Sequence, residues 1–324
     1  MPVKPLQLWC CVLACLMPSC FAQAQTYPNK PVRMIAPYPP GGTSDVMARL
    51  VAQKLSDTLG KQVIVDNRPG AAGNIGHEIA ARAAPDGYTL LVTSGAAMVT
   101  NVFLYKRLGF DPFRDFAPVS IVATAAPMMV VNPSVPARTV QEFIALAKAR
   151  PGEFNFGSGG VGTTSHIVGE VFKAATGVNI VHVPYKGGGL AVLDVVAGQI
   201  ALSFADMVPS VPQVKAGRLR ALAVTTPQRA TVLPEVPTMA EAGVDAPFPG
   251  QWWAVVVPQR TPRAVIVLLN QRIGEFMRTP EMQERLSAMG AFAAHTTPEQ
   301  VTETMKQGTQ QMAAVVKAAG IKPE

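Results

Sequence analysis

The chain has 324 residues, 48% of them hydrophobic, and a formal net charge of +7. That length is enough for two domains of ordinary size. Its basic residues are scattered (Arg33, Arg49, Arg68, Arg107, Arg138, Arg220, Arg263), with no dense cluster and no aromatic interleaving. This argues against nucleic-acid binding and leaves a moderately basic soluble protein with a mild attraction for anions.

The first segment reads as an export signal. Lys4 is followed by an apolar stretch from Leu6 to Met17 and then by Pro18-Ser19-Cys20-Phe21-Ala22-Gln23-Ala24. A basic start, a short apolar core and a small-x-small end mark a secretory signal peptide with cleavage after about Ala24. The apolar run is too short to span a bilayer. Val12-Leu13-Ala14-Cys15 loosely matches a lipobox, so acylation is the rival at this end. Cys10, Cys11, Cys15 and Cys20 are the only cysteines, and all precede the cut. The mature chain therefore has no disulfide, thiolate nucleophile or cysteine metal site.

Beyond the signal, one unit recurs. Strand 32–36 is followed by a Pro/Gly loop and a helix, with Thr43 or Ser44 as its cap and Asp45 in its first turn. Val46, Leu50, Val51, Leu55 and Leu59 share one helical face, and Gly60 ends the helix. Strand 63–65, a glycine loop, a helix capped by Asn74 and strand 89–93 complete βαβαβ, which predicts a parallel sheet with right-handed crossovers. The pattern returns after Ala125, with strands at 128–131, 154–156, 180–183, 200–204 and 222–224 and helices between them. Thr163 or Thr164 is the expected cap of the helix that runs to about Ala175. After Pro227 come strand 252–257 and three helical stretches, near 263–278, 280–289 and 298–319. The fold class is thus α/β with two lobes: residues 25–124 plus 226–324 form lobe 1, and residues 125–225 form lobe 2.

The chemistry lies in the strand-to-helix loops, because open parallel sheets bind ligands beyond the carboxyl ends of their strands. Gly41-Gly42-Thr43-Ser44, Gly70–Asn74, Ser94-Gly95, Gly157–Ser165 and Lys186–Gly189 occupy those ends. Free N–H groups at helix starts, with nearby hydroxyls, make an anion site without formal charge. Gly157, Gly159 and Gly162 match a dinucleotide-loop spacing, but the next strand ends in Val181-His182-Val183-Pro184 without the ribose-binding acid, so no cofactor is expected. Ser158, Ser165, His166, His182 and Asp194 could be drafted into a hydrolytic triad, yet no G-x-S-x-G elbow is present. Metal-ligand spacing is absent, and no catalytic residue is assigned.

Three segments carry a family resemblance: Tyr38-Pro-Pro-Gly-Gly-Thr-Ser-Asp45 with Arg49; Asn67-Arg-Pro-Gly-Ala-Ala-Gly-Asn74 with Pro85-Asp-Gly-Tyr-Thr-Leu90; and Gly157-Ser-Gly-Gly-Val-Gly-Thr-Thr-Ser-His166 with Val183-Pro-Tyr-Lys-Gly187. Over essentially the whole mature chain the sequence resembles the Bug family of periplasmic solute receptors, the binding components of tripartite tricarboxylate transporters. The resemblance implies a two-lobed type II periplasmic-binding-protein fold that closes over a small carboxylate in an interlobe cleft. It implies Tyr38, Gly42, Thr43 and Asp45 as ligand-binding residues in lobe 1, with Gly73 and Ser94 on the floor. In lobe 2 it implies Ser158, Thr163, Ser165, His166, Tyr185 and Asp206. Asp45 could equally cap its own helix. Asp206 could accept from a ligand amine or hydroxyl, or cap a helix. The partners implied are membrane permease subunits in the periplasm, with a monomeric receptor; a signalling partner or a secreted hydrolase are the alternatives. Two departures bear on the ligand. Leu190 stands where proline is expected after Gly187-Gly188-Gly189, and Ala96-Ala97 replace a stretch that is often more polar.

Overall fold

The computed structural model describes residues 27–318 and 320–321. The expected signal peptide and cleavage point, and the four cysteines, fall outside the described residues. The first lobe opens with β1 (Val32–Ala36), α1 (Thr43–Leu59), β2 (Val63–Asn67), a 3-10 turn (Ala71–Gly73), α2 (Asn74–Ala81), β3 (Thr89–Ser94), α3 (Gly95–Val99), α4 (Asn101–Leu104) and β4 (Phe116–Ala125). The chain then crosses into β5 (Pro127–Val131), α5 (Val140–Ala149), β6 (Asn155–Ser158), α6 (Thr164–Thr176), β7 (Val181–Pro184), α7 (Gly188–Val196), β8 (Leu202–Asp206), α8 (Met207–Lys215) and β9 (Arg220–Val224). It returns as β10 (Gln251–Pro258), α9 (Arg263–Met277), α10 (Pro280–Ser287), β11 (Ala291–Ala293) and α11 (Pro298–Ala318).

The two sheets share a plan. The first runs β11-β4-β10-β3-β1-β2 and the second β7-β6-β8-β5-β9. In each, the βαβαβ strands are parallel, as their apolar runs and crossover helices require. In each, the first strand after a crossing inserts antiparallel in the middle: β10 between β3 and β4, and β5 between β8 and β9. The sequence reading did not identify β4. Its Pro118 breaks the strand signal but falls at a register shift, where Pro118 faces Val256 and the missing N–H is tolerated.

Helices cover both faces of both sheets. α1, α9 and α10 pack on one face of the first sheet through Met47, Val51, Leu55, Leu269, Ile273 and Leu286, with Trp253 wholly buried beneath. Each such side chain adds about 1.5–3 kcal/mol by burial. α2, α3 and α11 close the other face around Ile35, Leu91, Met98 and Met305. In the second lobe Phe143, Phe156, Phe172 and Phe204 fill one layer and Val192, Val195, Met207 and Val211 the other. Residues 226–244, grouped above with lobe 1, pack onto the second sheet instead. Ala230, Leu233 and Val236 complete one of its cores and Met239 and Val244 the other, and Thr238 bridges to Val224. Their apolar side chains have no other sheet to cover before the chain crosses back near Pro247–Gly250.

Candidate ligand-binding cleft

Strand order reverses in each sheet beside β1 and β6, so the loops after β1, β3, β6 and β8 face one another. Tyr38, Gly42, Thr43, Ser94, Thr163, Ser165 and Asp206 line the cleft they form. So do Ser44, Ala96, Thr164, Gly187–Gly189, Leu190, Ser203 and Gln251, which were not among the candidates. Gln251 is the least legible of these in sequence, since it is simply the first residue of β10 after the return crossing.

The helices that start at the cleft are not capped as expected. α1 begins at Thr43 with Gly42 as its N-cap, and no side chain bonds the helix end. Thr43 Oγ1 instead donates across the cleft to Asp206 Oδ2 at 2.7 Å. Ser44 Oγ accepts from Trp253 Nε1 at 3.0 Å. Thr163 is the N-cap residue of α6 but likewise makes no cap bond; its hydroxyl donates to the Gly160 carbonyl at 2.7 Å. α2 has Gly73, not Asn74, as its N-cap, and α7 begins after Gly187, again with no side-chain cap. The first N–H groups of a helix have no intrahelical acceptor and carry the positive end of the dipole. α1, α6 and α7 therefore bring uncapped positive ends to one cleft.

The remaining candidates lie behind the lining. Asp45 accepts from Gly41 N at 3.0 Å, Arg49 Nε at 3.0 Å and Asn67 Nδ2 at 2.8 Å. Burial alone would raise its carboxyl, but those hydrogen bonds and the Arg49 charge hold it below the usual carboxylate range. It braces the first loop and does not line the cleft. Gly73 has φ +93°, and a Cβ there would lie 3.1 Å from the Tyr38 ring. It makes room for Tyr38, whose hydroxyl donates to Ala72 O at 2.9 Å and whose phenol burial pushes up to about 12. Ser158 is wholly buried, 2.6 Å from His182 Nε2, and accepts from Gly160 N. His166 Nδ1 accepts from Gly162 N at 3.2 Å, and its ring stacks on His182 with centroids 4.2 Å apart. Tyr185 turns away and donates to Asp194 at 2.7 Å.

Burial pushes His166 down to about 4. Burial, helped by the neighbouring His166, pushes His182 down to about 3. A neutral His166 is what the geometry needs, because Nδ1 must accept. The Ser158–His182 spacing suits a nucleophile and base. The hydroxyl is sealed under its loop, however, and a substrate in the cleft does not reach it.

Among the described residues, Asp206 is the only carboxylate or cationic side chain on the lining. Burial pushes its carboxyl up, against the lowering hydrogen bonds from Thr43 and Gln251. The Gln251 amide that serves Asp206 leaves its own Oε1 buried without a partner. Besides Thr43–Asp206, the lobes meet where Tyr105 donates to Val161 O at 3.0 Å and where Leu104, Ile167, Val171 and Met312 cluster. No group of three or more potential metal ligands occurs among the described residues.

Comparison with known proteins agrees with this geometry. The chain is 39% identical to Protein BugT of Bordetella pertussis over 300 residues, 92% of each chain. Rpa4515 of R. palustris, solved with adipate, superposes with a TM-score of 0.90 at 34% identity, over 92% of this chain and all of that one. The periplasmic binding protein BugD superposes with a TM-score of 0.88 at 32% identity, over 92% of this chain and all of that one. Residues 47–321 match the model of the tripartite tricarboxylate transporter family receptor. The chain therefore belongs to that receptor family, the group of the Bug proteins, and has the two-lobed type II periplasmic-binding-protein fold.

Proposed function

We propose that the chain is a periplasmic receptor that closes on a small carboxylate and delivers it to membrane permease subunits. The observation that carries the reading is the convergence of three uncapped helix starts, those of α1, α6 and α7, on a lining with no cationic side chain. Backbone N–H groups and the Ser94 and Ser165 hydroxyls supply directed donors for one carboxylate, at little cost in side-chain ordering. Part of that set belongs to each lobe, so an anion gains all of its hydrogen bonds only when the lobes are closed. Ligand differential affinity for the closed state then shifts the population toward it. In this reading the lobes divide at residues 125–127 and 245–250, and Thr43–Asp206 is a latch between them.

Family membership and the adipate bound by Rpa4515 support a carboxylate ligand and a transporter partner. The N-terminal signal supports export to the periplasm. The sealed position of Ser158 favours a receptor over a hydrolase. A thermal-shift screen of residues 25–324 against mono-, di- and tricarboxylates, sugars and metal cations tests the reading. A carboxylate is expected to raise the melting temperature. A rise with a sugar or a cation and none with any carboxylate would overturn it.

A further inference from the structure

A second cavity adjoins the cleft. Ala96, Thr164 and Gln251 line both the cleft and this cavity of about 800 Å³ beside the return crossing. Trp252 of β10, Phe248, Val99 of α3 and Met312 and Val315 of α11 form its walls. None of its described lining residues is ionisable. The cleft itself offers one carboxylate and three helix starts. The two spaces thus differ in kind: the first suits an anionic head, and the second suits an uncharged chain.

We propose that the apolar cavity is the tail site of the cleft's own ligand, which makes the ligand a monocarboxylate bearing an extended alkyl or aryl group. The proposal rests on the carboxylate reading above and specifies the other end of the molecule. Adjacency through shared residues selects this occupant: a chain attached to a carboxylate held at the starts of α1 and α6 would pass into the cavity beside Ala96, whose small side chain obstructs it least. A second carboxylate reaching the cavity would shed hydration with no cationic side chain among the described lining residues to replace it. A methylene entering the same space gains roughly three- to fourfold in affinity by leaving water. Ala96, of the apolar Ala96-Ala97 pair singled out in the sequence, falls at this junction.

The test is calorimetric titration of residues 25–324 with unbranched monocarboxylates of increasing length and with the α,ω-dicarboxylates of matching length. Once the chain passes Ala96, monoacid affinity is expected to climb roughly three- to fourfold per methylene, and each long diacid is expected to bind more weakly than its monoacid. Ala314→Asp, which places a charge at an exposed position lining the cavity, should flatten the climb and leave short acids within about twofold. Gln307→Trp, at an exposed position on α11, fills the same space and serves if Ala314→Asp does not fold. A flat series in the unaltered protein, long diacids that outbind their monoacids, or a climb that survives both variants would overturn the tail site while short-acid binding kept the receptor reading intact. Failure of every acid to bind would remove both.

Discussion

The two loops proposed to hold the carboxylate end do the same work with different chemistry behind them. The first, Gly41–Ser44, rests on an ionic brace in which Asp45 gathers Arg49, Asn67 and the Gly41 N–H. The second, Gly157–Gly162, rests on a neutral one in which Ser158, His182 and His166 satisfy the loop's backbone and stack on one another. The first brace reaches solvent through Arg49, whose side chain is 55% exposed. In the second, Ser158 and His166 are buried and His182 is half-buried. An anion site built from backbone N–H groups is only as good as the fixed direction of those groups, so each loop needs a brace. An ionic brace tolerates acid down to the depressed carboxyl pKa. An imidazole brace fails earlier.

Acid is therefore the largest expected perturbation. His77, which donates from Nδ1 to Gly73 O and accepts from Thr93 at Nε2, is pushed down to about 4 by burial, as is His166. Their folded values lie below the unfolded value near 6.5, so the unfolded chain binds more protons in between. Stability is full above about pH 6.5 and is lost as pH falls toward 4. Each of these two nearly inaccessible imidazoles gives up on the order of 3 kcal/mol over that span. Urea denaturation at a series of pH values checks this, and a flat profile between pH 7 and 4 would break the distinction between the loops.

Removing the ionic brace comes next. Asp45→Ala leaves Asn67 and the Gly41 N–H without their acceptor and should cost about 2–3 kcal/mol of stability. The loss should persist at pH 7, where the histidine brace is intact. A change below about 0.5 kcal/mol in urea unfolding would show that the first loop needs no charge beneath it. The smallest effect concerns the latch alone. Thr43→Val keeps the shape and removes the hydroxyl donated to Asp206, so the fold should stand and ligand affinity should fall about tenfold, the worth of a hydrogen bond to a charged acceptor. Titration of the variant with the best-bound acid measures it, and unchanged affinity would remove Thr43–Asp206 from closure.

Much of the fold was legible because hydrophobic periodicity and glycine punctuation agree along the chain. The strands and crossover helices of both βαβαβ units follow from that agreement. The antiparallel insertion of β5 and β10 was not legible, since nothing local to Val255 says which strands will flank it. Nor was the attachment of residues 226–244, whose few apolar side chains belong to a core set by distant strands. The cap rules failed where they matter. Thr43 and Thr163 are good capping residues, yet their hydroxyls are turned to Asp206 and Gly160, which leaves the helix starts uncapped. Local rules give way at a binding site. Asp45, Ser158 and His166 carry the same lesson from the other side. Their motif position marks them as part of the site, and only packing shows that they act from behind the lining.

Uncapped helix starts are proposed to recognise a carboxylate in a cleft without a cationic side chain among its described lining residues. Titrating residues 25–324 with a bound acid and with the primary amide of the same acid tests this most directly, because the two share size and shape and differ in charge. The account predicts that the acid binds and the amide binds at least a hundredfold more weakly, a difference of about 2.7 kcal/mol, in the range of hydrogen bonds to a charged group. Equal affinity for the amide would contradict it.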